Sequence, residues 1–174
     1  GIVHSKTIRF GGTDIDKALM QYINECFGLL VSEQTVEDIK HTVGTTVLPV
    51  EEQEFSFNGR DMTSGLVRRY VIHQSEVYQV IRTAIEGFLD AVNQMIRNTE
   101  PELVADIMQH GIVLTGGSAR LVGMAERISS EIGVPVTMAD EPELMVVKGL
   151  YGSAKHIVEL SRFIVNTKDR KGRA

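Results

Sequence analysis

The stretch Gly111-Ile-Val-Leu-Thr-Gly-Gly-Ser-Ala119 decides the fold class, because its pattern changes from strand to turn within a few residues. Residues 111–115 are mostly aliphatic and predict a buried strand, and the two glycines that follow predict a tight turn. The spacing of apolar residues then predicts a helix over 121–132, a strand over 134–138 and another helix over 143–163. Strands that alternate with helices are typical of an α/β layer.

The first 43 residues predict one strand and two helices. Residues 1–10 alternate loosely, as a half-buried strand does. Thr13 and Asp16 have the spacing of a helix N-terminal cap, and apolar residues then recur every three or four positions up to Cys26. We expect Cys26 in the core, where free cysteines are commonly buried, and the alternative is a reactive thiol. A second helix is predicted over 33–43.

The middle of the chain predicts a small antiparallel sheet and then a long helix. Residues 45–50 are rich in β-branched side chains, residues 54–57 alternate, and Asn58-Gly59 signals a turn before a return strand at 66–72. Helical periodicity then continues over 75–96, more than 20 residues. This order predicts an α/β lobe into which a smaller α+β lobe is inserted.

Composition and charge narrow the functional classes. The 174 residues include 18 Lys and Arg against 23 Asp and Glu, a formal net charge of −5, so there is no global cationic field for nucleic acid or anionic lipid. The single cysteine excludes an intrachain disulfide. Apolar runs are short and the N-terminus lacks the pattern of a signal peptide, so we expect a cytosolic protein. Residues 166–174 are rich in Lys and Arg and predict a flexible, solvated C-terminal tail.

Two segments carry the candidate chemistry. The Gly116-Gly117 turn, between a strand and a helix, allows the backbone to approach a ligand such as a nucleotide, although a purely structural turn has the same pattern. Glu37 and Lys40 share one helical face and could hold sugar hydroxyls and a base edge. The alternative for this pair is a solvated ion pair.

Other kinds of site find little support in the sequence. The five histidines have no metal-ligand spacing. Ser118 lies outside a GxSxG motif, so a nucleophile is disfavoured.

Six short motifs, in this order, resemble the MreB family of bacterial actin homologues, the rod-shape-determining proteins. The resemblance covers about residues 2–154. The motifs are Ser5-Lys-Thr-Ile-Arg-Phe-Gly-Gly-Thr-Asp-Ile-Asp16, Glu37-Asp-Ile-Lys-His-Thr-Val-Gly44, Asn58-Gly-Arg-Asp-Met-Thr-Ser-Gly-Leu66, Pro101-Glu-Leu-Val-Ala-Asp-Ile107, Gly111-Ile-Val-Leu-Thr-Gly-Gly117, and Asp140-Glu-Pro142 with Gly149.

The resemblance implies the fold, an α/β half of an actin-like ATPase. A ribonuclease H-like lobe, called subdomain IIA in this family, would comprise residues 1–11 and 82–165. The inserted lobe, subdomain IIB, would comprise residues 12–81, and residues 166–174 would form the flexible basic tail.

The resemblance also implies which residues bind ATP with Mg²⁺ in the complete protein. Those expected at the nucleotide are Glu37, Asp38, Ile39, Lys40, Gly116, Gly117, Ser118 and Ala119. Both phosphate loops and the catalytic acid of the family are expected upstream of Gly1. We therefore expect the parent protein to be an ATPase and this chain alone to be inactive.

The implied function is a cytoskeletal filament of head-to-tail subunits that directs cell shape and wall synthesis in rod-shaped bacteria. The expected location is the inner face of the cell membrane. A membrane-anchored bitopic partner would dock on subdomain IIA, and direct membrane contact would come only through the missing half or through partners. The alternatives are half of an Hsp70-type or sugar-kinase-type ATPase and an interaction module that needs no nucleotide.

Overall fold

The computed structural model describes residues 2–160 of the chain. In chain order its elements are α1 (Gly12–Phe27), β1 (Leu29–Leu30), α2 (Glu33–Val43), β2 (Glu54–Asp61), β3 (Val67–His73), α3 (Gln74–Ala84), α4 (Glu86–Arg97), α5 (Pro101–His110), β4 (Ile112–Leu114), α6 (Met124–Ile132), β5 (Val136–Met138), α7 (Met145–Lys155) and α8 (Ile157–Leu160). Short 3₁₀ turns occupy Gly117–Arg120 and Pro142–Leu144.

An antiparallel sheet of order β1-β2-β3 forms the middle of the chain, as the sequence predicted. The predicted turn at Asn58-Gly59 is wrong, because β2 runs through both residues to Asp61. The Asp61 carboxylate accepts hydrogen bonds from the backbone N–H groups of Thr63 and Ser64, so the reversal forms there. Gly59 serves packing instead, since an added Cβ would lie 3.1 Å from the Leu29 side chain.

The predicted strand at residues 45–50 is also absent. Only Thr45 pairs, in an isolated parallel bridge with Val122, and Thr46 N–H donates to the Val122 carbonyl at 2.9 Å. The β-branched composition of this segment therefore reflects a junction with the α/β part of the chain.

Helix α1 begins differently from the expectation. Its N-cap is Gly11, whose N–H donates to the Asp14 carboxylate at 3.0 Å, so Thr13 and Asp16 do not form the cap. Cys26 is exposed, which contradicts the prediction that it lies in the core. It lies in the last turn of α1, beyond the buried stripe that ends at Ile23.

Helix α2 and the helical segment formed by α3 and α4 can be compared directly with the predicted bounds. Helix α2 has the predicted bounds, with Val36, Ile39 and Val43 buried. The predicted long helix divides into α3 and α4 at Ile85, although Ile85 N–H still donates to the Ile81 carbonyl at 3.0 Å. The interruption is therefore a local kink in one nearly continuous helical segment.

The α/β part contains a parallel pair, β4 and β5. The prediction that β4 is buried is wrong, because Val113 is 62% exposed and Met138 in β5 is 46% exposed. Residues 2–10 form no strand either. Their contacts are made by side chains: Lys6 Nζ donates to Gln94 Oε1 at 2.7 Å, and Phe10 stacks on Phe88.

The last helical predictions were too long. The helix expected from residue 121 begins at Met124, and the helix expected over 143–163 divides into a 3₁₀ turn, α7 and α8. The predicted end of that helix and the predicted basic tail at 166–174 lie outside the described residues.

One hydrophobic cluster joins the parts of the fold. It includes Leu19 of α1, Ile39 of α2, Ile81 of α3 and Ile128 of α6, each at most 1% exposed. Burial of this kind of side chain stabilises a fold by roughly 1.5–3 kcal/mol each. The cluster fixes α1 and α2 side by side, and the predicted lobe boundaries at residues 12 and 82 remain a prediction.

Candidate functional site

A cavity of about 570 Å³ lies between α2 and the 3₁₀ turn Gly117–Arg120, next to the N-terminus of α1. This volume is in the range that small-molecule sites occupy, roughly 300–1,000 Å³. Three separate segments of the chain form its walls, and the hydrophobic cluster described above holds two of them together.

The α2 wall contributes Glu37 and Lys40. Lys40 is only 9% exposed, and its Nζ donates to Asp16 Oδ2 at 2.9 Å, while Asp16 Oδ1 lies 2.8 Å from the same nitrogen. The alternative of a solvated Glu37–Lys40 ion pair is therefore wrong. A carboxylate on a different helix holds the lysine.

The second wall is the turn after β4. Gly116 N–H donates to the Pro142 carbonyl at 2.7 Å, and Ala119 N–H donates to the Gly116 carbonyl at 3.1 Å. These bonds fix the backbone so that Gly117 and Ser118 line the cavity. Gly116 has φ of 87°, a conformation that glycine adopts readily.

Gly12, the first residue of α1, closes the floor between these walls. A Cβ added at Gly12 would lie 3.3 Å from Lys40 Nζ and 3.7 Å from Ser118 Oγ. The absence of a side chain here leaves space that any other residue would fill. A helix N-terminus also carries free N–H groups and a partial positive charge.

Arg120 and Glu143 form an ion pair at the rim of the cavity. The guanidinium Nε and Nη2 donate to the two carboxylate oxygens at 2.8 Å each. These hydrogen bonds lower the pKa of Glu143 to about 2 and raise the pKa of Arg120. The pair links the glycine turn to the 3₁₀ turn Pro142–Leu144.

The structure brings some of the predicted site residues together and leaves others apart. Glu37, Lys40, Gly117 and Ser118 line one cavity. The remaining four do not line it: Asp38 is exposed and accepts from Gln34, Ile39 is in the core, Gly116 supports the turn, and Ala119 is 9% exposed.

Sequence reasoning missed Gly12, Asp16, Arg120 and Glu143. The glycine pair after the first predicted strand was a visible signal, since a glycine can mark a close approach of backbone and ligand. Asp16 was assigned to a helix cap in preference to a Mg²⁺ ligand or a base, and nothing in the sequence linked it to Lys40, because their contact joins residues 24 positions apart.

The arrangement suits a polar, largely uncharged ligand. Lys40, Arg120, two carboxylates and the His41 imidazole line the cavity, and Asp16 adds a third carboxylate behind Lys40. Glu37 can accept hydrogen bonds from hydroxyl groups, and Lys40 can donate to ring nitrogens or hydroxyl oxygens. Among residues 2–160, no group of three or more His, Cys, Asp or Glu side chains could hold a metal ion.

The fold places the chain in the actin-like class. The structure superposes on the MamK double helical filament with a TM-score of 0.62 at 22% identity, over 79% of this chain and 42% of that one. It superposes more closely on MreB 5 of Spiroplasma citri bound to AMPPNP, with a TM-score of 0.87 at 28% identity, over 93% of this chain and 49% of that one.

The chain belongs to the MreB/Mbl family, because the family model described as MreB/Mbl protein matches residues 1–162. It is 32% identical to the cell shape-determining protein MreB of Escherichia coli, over 92% of this chain and 46% of that protein. It is 38% identical to the cell shape-determining protein Mbl of Bacillus subtilis, over 81% of this chain and 42% of that protein.

These matches also bear on the other sequence predictions. They confirm the resemblance and the actin-like α/β fold class, and they give no support to an Hsp70-type or sugar-kinase-type protein. The chain spans about half the length of the curated relatives it matches. In the part of the chain that the structure describes, no helix is both long and apolar enough to cross a membrane.

Proposed function

We propose that this chain forms the nucleoside-binding side of the ATP site in an actin-like cytoskeletal protein. The observation that carries the proposal is the convergence of α1, α2 and the glycine turn on one cavity, with Lys40 Nζ and Ser118 Oγ both close to Gly12. MreB5 of Spiroplasma citri, to which this chain is similar, was solved with AMPPNP and with ADP.

The side chains present fit the sugar and base of a nucleotide. Glu37 would accept hydrogen bonds from sugar hydroxyls, and Lys40 would donate to oxygen or ring nitrogen acceptors. The N–H groups of α1 and of the glycine turn would face the ligand without interference from a Cβ at Gly12 or Gly117. ATP would bring its phosphate groups and Mg²⁺ to a site completed by the other half of the protein.

In the complete protein, nucleotide binding would bias closure of the two halves. Actin-like subunits stack head to tail, a contact that does not close and so builds a filament. We propose that the complete protein polymerises in this way at the inner face of the cell membrane and directs cell shape and wall synthesis. A membrane-anchored bitopic partner would dock on the lobe proposed as subdomain IIA, residues 1–11 and 82–165.

Calorimetry with adenosine and ADP tests the binding proposal, and phosphate release from Mg-ATP tests for turnover. We expect weak binding by the 174-residue chain, loss of about tenfold in affinity for Lys40→Ala, and no turnover. Lys17→Ala is the matched control, because Lys17 lies on α1 with its side chain 73% exposed.

Two results would contradict the proposal. Equal affinity of wild type and Lys40→Ala would remove Lys40 from the site. Steady hydrolysis by the isolated chain would mean that it carries a complete active site of its own. In the complete protein, filament assembly unchanged by Lys40→Ala at limiting ATP would favour a nucleotide-independent module.

A further inference from the structure

The pairing of Lys40 with Asp16 sets the electrostatic character of the cavity floor. A buried ammonium group is costly unless a counter-charge compensates it. Asp16 supplies that charge from α1, its side chain being 19% exposed and that of Lys40 10% exposed. The helices bearing the two residues pack against each other through the buried Ile15, Leu19, Val36 and Ile39.

The contact is closer than an ordinary surface ion pair. Both carboxylate oxygens of Asp16 lie within 2.9 Å of Lys40 Nζ. Oδ2 accepts the hydrogen bond, while Oδ1 is buried and has no hydrogen-bonding partner of suitable geometry among the described residues. The pair therefore holds the ammonium group at one place, next to Gly12.

The other charges of the cavity do not change this balance. Arg120 is neutralised by Glu143 at the rim. Glu37 adds a carboxylate and His41 an imidazole to the lining, and both the Lys and the Arg side chain that line the cavity are paired with a carboxylate. A phosphate group would find no free positive side chain at this floor, whereas a sugar or base would find both donors and acceptors.

We infer that Asp16 is a positioning and specificity-determining residue that acts through Lys40. It fixes the lysine as a hydrogen-bond donor and cancels its charge, so that Lys40 serves the nucleoside and does not attract phosphate. The inference rests on the proposed function and extends it to a residue on a helix outside both predicted nucleotide-binding segments.

Acylation of lysine side chains, followed by mass spectrometry, tests this inference in the 174-residue chain. The readout is the rate at Lys40 relative to exposed Lys155, measured alone, with adenosine and with inorganic pyrophosphate. The variant is Asp16→Asn. Asp14→Asn is the matched control, because Asp14 caps the same helix through Gly11 but is exposed.

In wild type we expect slow acylation of Lys40, further protection by adenosine and none by pyrophosphate. In Asp16→Asn the rate at Lys40 should rise about tenfold, because a charge-assisted hydrogen bond is lost. Adenosine protection should weaken, and pyrophosphate should now protect, since the floor gains an uncompensated cation. Asp14→Asn should lower thermal stability and leave all three rates as in wild type.

The outcomes separate the two proposals. Absence of adenosine protection in wild type would overturn the proposed function. If adenosine protects Lys40 in wild type, two results would overturn the inference alone. One is that Lys40 is labelled at the same rate in Asp16→Asn as in wild type, and the other is that pyrophosphate does not protect Lys40 in Asp16→Asn. Equal changes in Asp14→Asn and Asp16→Asn would reduce Asp16 to a purely structural role and overturn the inference too.

A second pair of variants covers the case in which Asp16→Asn does not fold. Lys40→Gln leaves Asp16 without its partner, and the double variant Asp16→Asn with Lys40→Gln removes both charges. If Asp16 acts only through Lys40, Lys40→Gln and the double variant should bind adenosine with equal affinity in calorimetry. The melting temperature of the double variant should be no lower than that of Lys40→Gln. A further loss of affinity in the double variant would refute the inference.

Discussion

Replacement of Gly12 by alanine should raise the stability of the chain and lower its affinity for nucleotide. The new Cβ would lie 3.3 Å from Lys40 Nζ and 3.7 Å from Ser118 Oγ. The first distance is tighter than ordinary van der Waals contact, so Lys40 must shift by a few tenths of an ångström. The methyl group would also occupy the space between the two polar groups.

The two effects have different origins and opposite signs. Gly→Ala at a compatible helical position stabilises by about 0.4–1 kcal/mol, through the entropy of the unfolded chain. Displacement of the buried Lys40 offsets part of this gain at Gly12. Loss of the donor position at Lys40 should reduce ADP affinity about tenfold, equivalent to about 1.4 kcal/mol. Thermal unfolding without ligand and calorimetry with ADP measure the two effects separately.

Gly87→Ala provides the control. Gly87 lies near the start of α4, and an added Cβ there meets nothing within 4 Å. This variant should gain at least as much stability as Gly12→Ala, while its ADP affinity stays unchanged. If Gly12→Ala binds ADP as tightly as wild type, the floor of the cavity is not where the ligand lies, and the reasoning fails.

Three further predictions concern the ion pair at the rim, a partly buried phenol and the core. Arg120 lowers the pKa of Glu143 to about 2, so the ion pair should stabilise the fold fully above about pH 4.5 and progressively less as the pH falls towards 2. The melting temperatures of wild type and Glu143→Gln should therefore converge in acid. Burial and a hydrogen bond to Glu76 raise the pKa of Tyr22 above its ordinary value of 10, so Tyr22→Phe should cost about 1 kcal/mol in urea unfolding, and this difference should shrink above pH 10. Ile39→Ala should cost about 2–5 kcal/mol, since the side chain is fully buried; a loss of ADP affinity without this loss of stability would return Ile39 to the site.

Periodicity predicted the elements whose burial is one-sided. The bounds of α2 follow from apolar residues at steps that match a helix. The existence of β2 and β3 was predicted from alternation, but their register was not, because the turn expected at Asn58-Gly59 lies inside β2. Cys26 follows the apolar periodicity of α1 but is exposed. Periodicity gives the direction in which a side chain points and does not show where the residues that pack against it end.

The site was predicted only where its residues are close in sequence. Glu37 and Lys40 share a helical face, and Gly117 and Ser118 share a turn, so each pair was visible locally. Asp16 was not, because the contact that makes it important depends on how α1 packs on α2. The strand expected at residues 45–50 failed for a related reason, since β-branched side chains there have only a single bridge partner.

The junction between Thr46 and Val122 makes a reporter for motion between the two walls of the cavity. Thr46 is 1% exposed, and both its N–H and its hydroxyl donate to the Val122 carbonyl, at 2.9 and 3.1 Å. Separation of α2 from the glycine turn must break these bonds, so the Thr46 amide should exchange with deuterium only when the walls part. Slower exchange of this amide with bound nucleotide would show that the ligand draws the walls together, independently of any measurement of affinity.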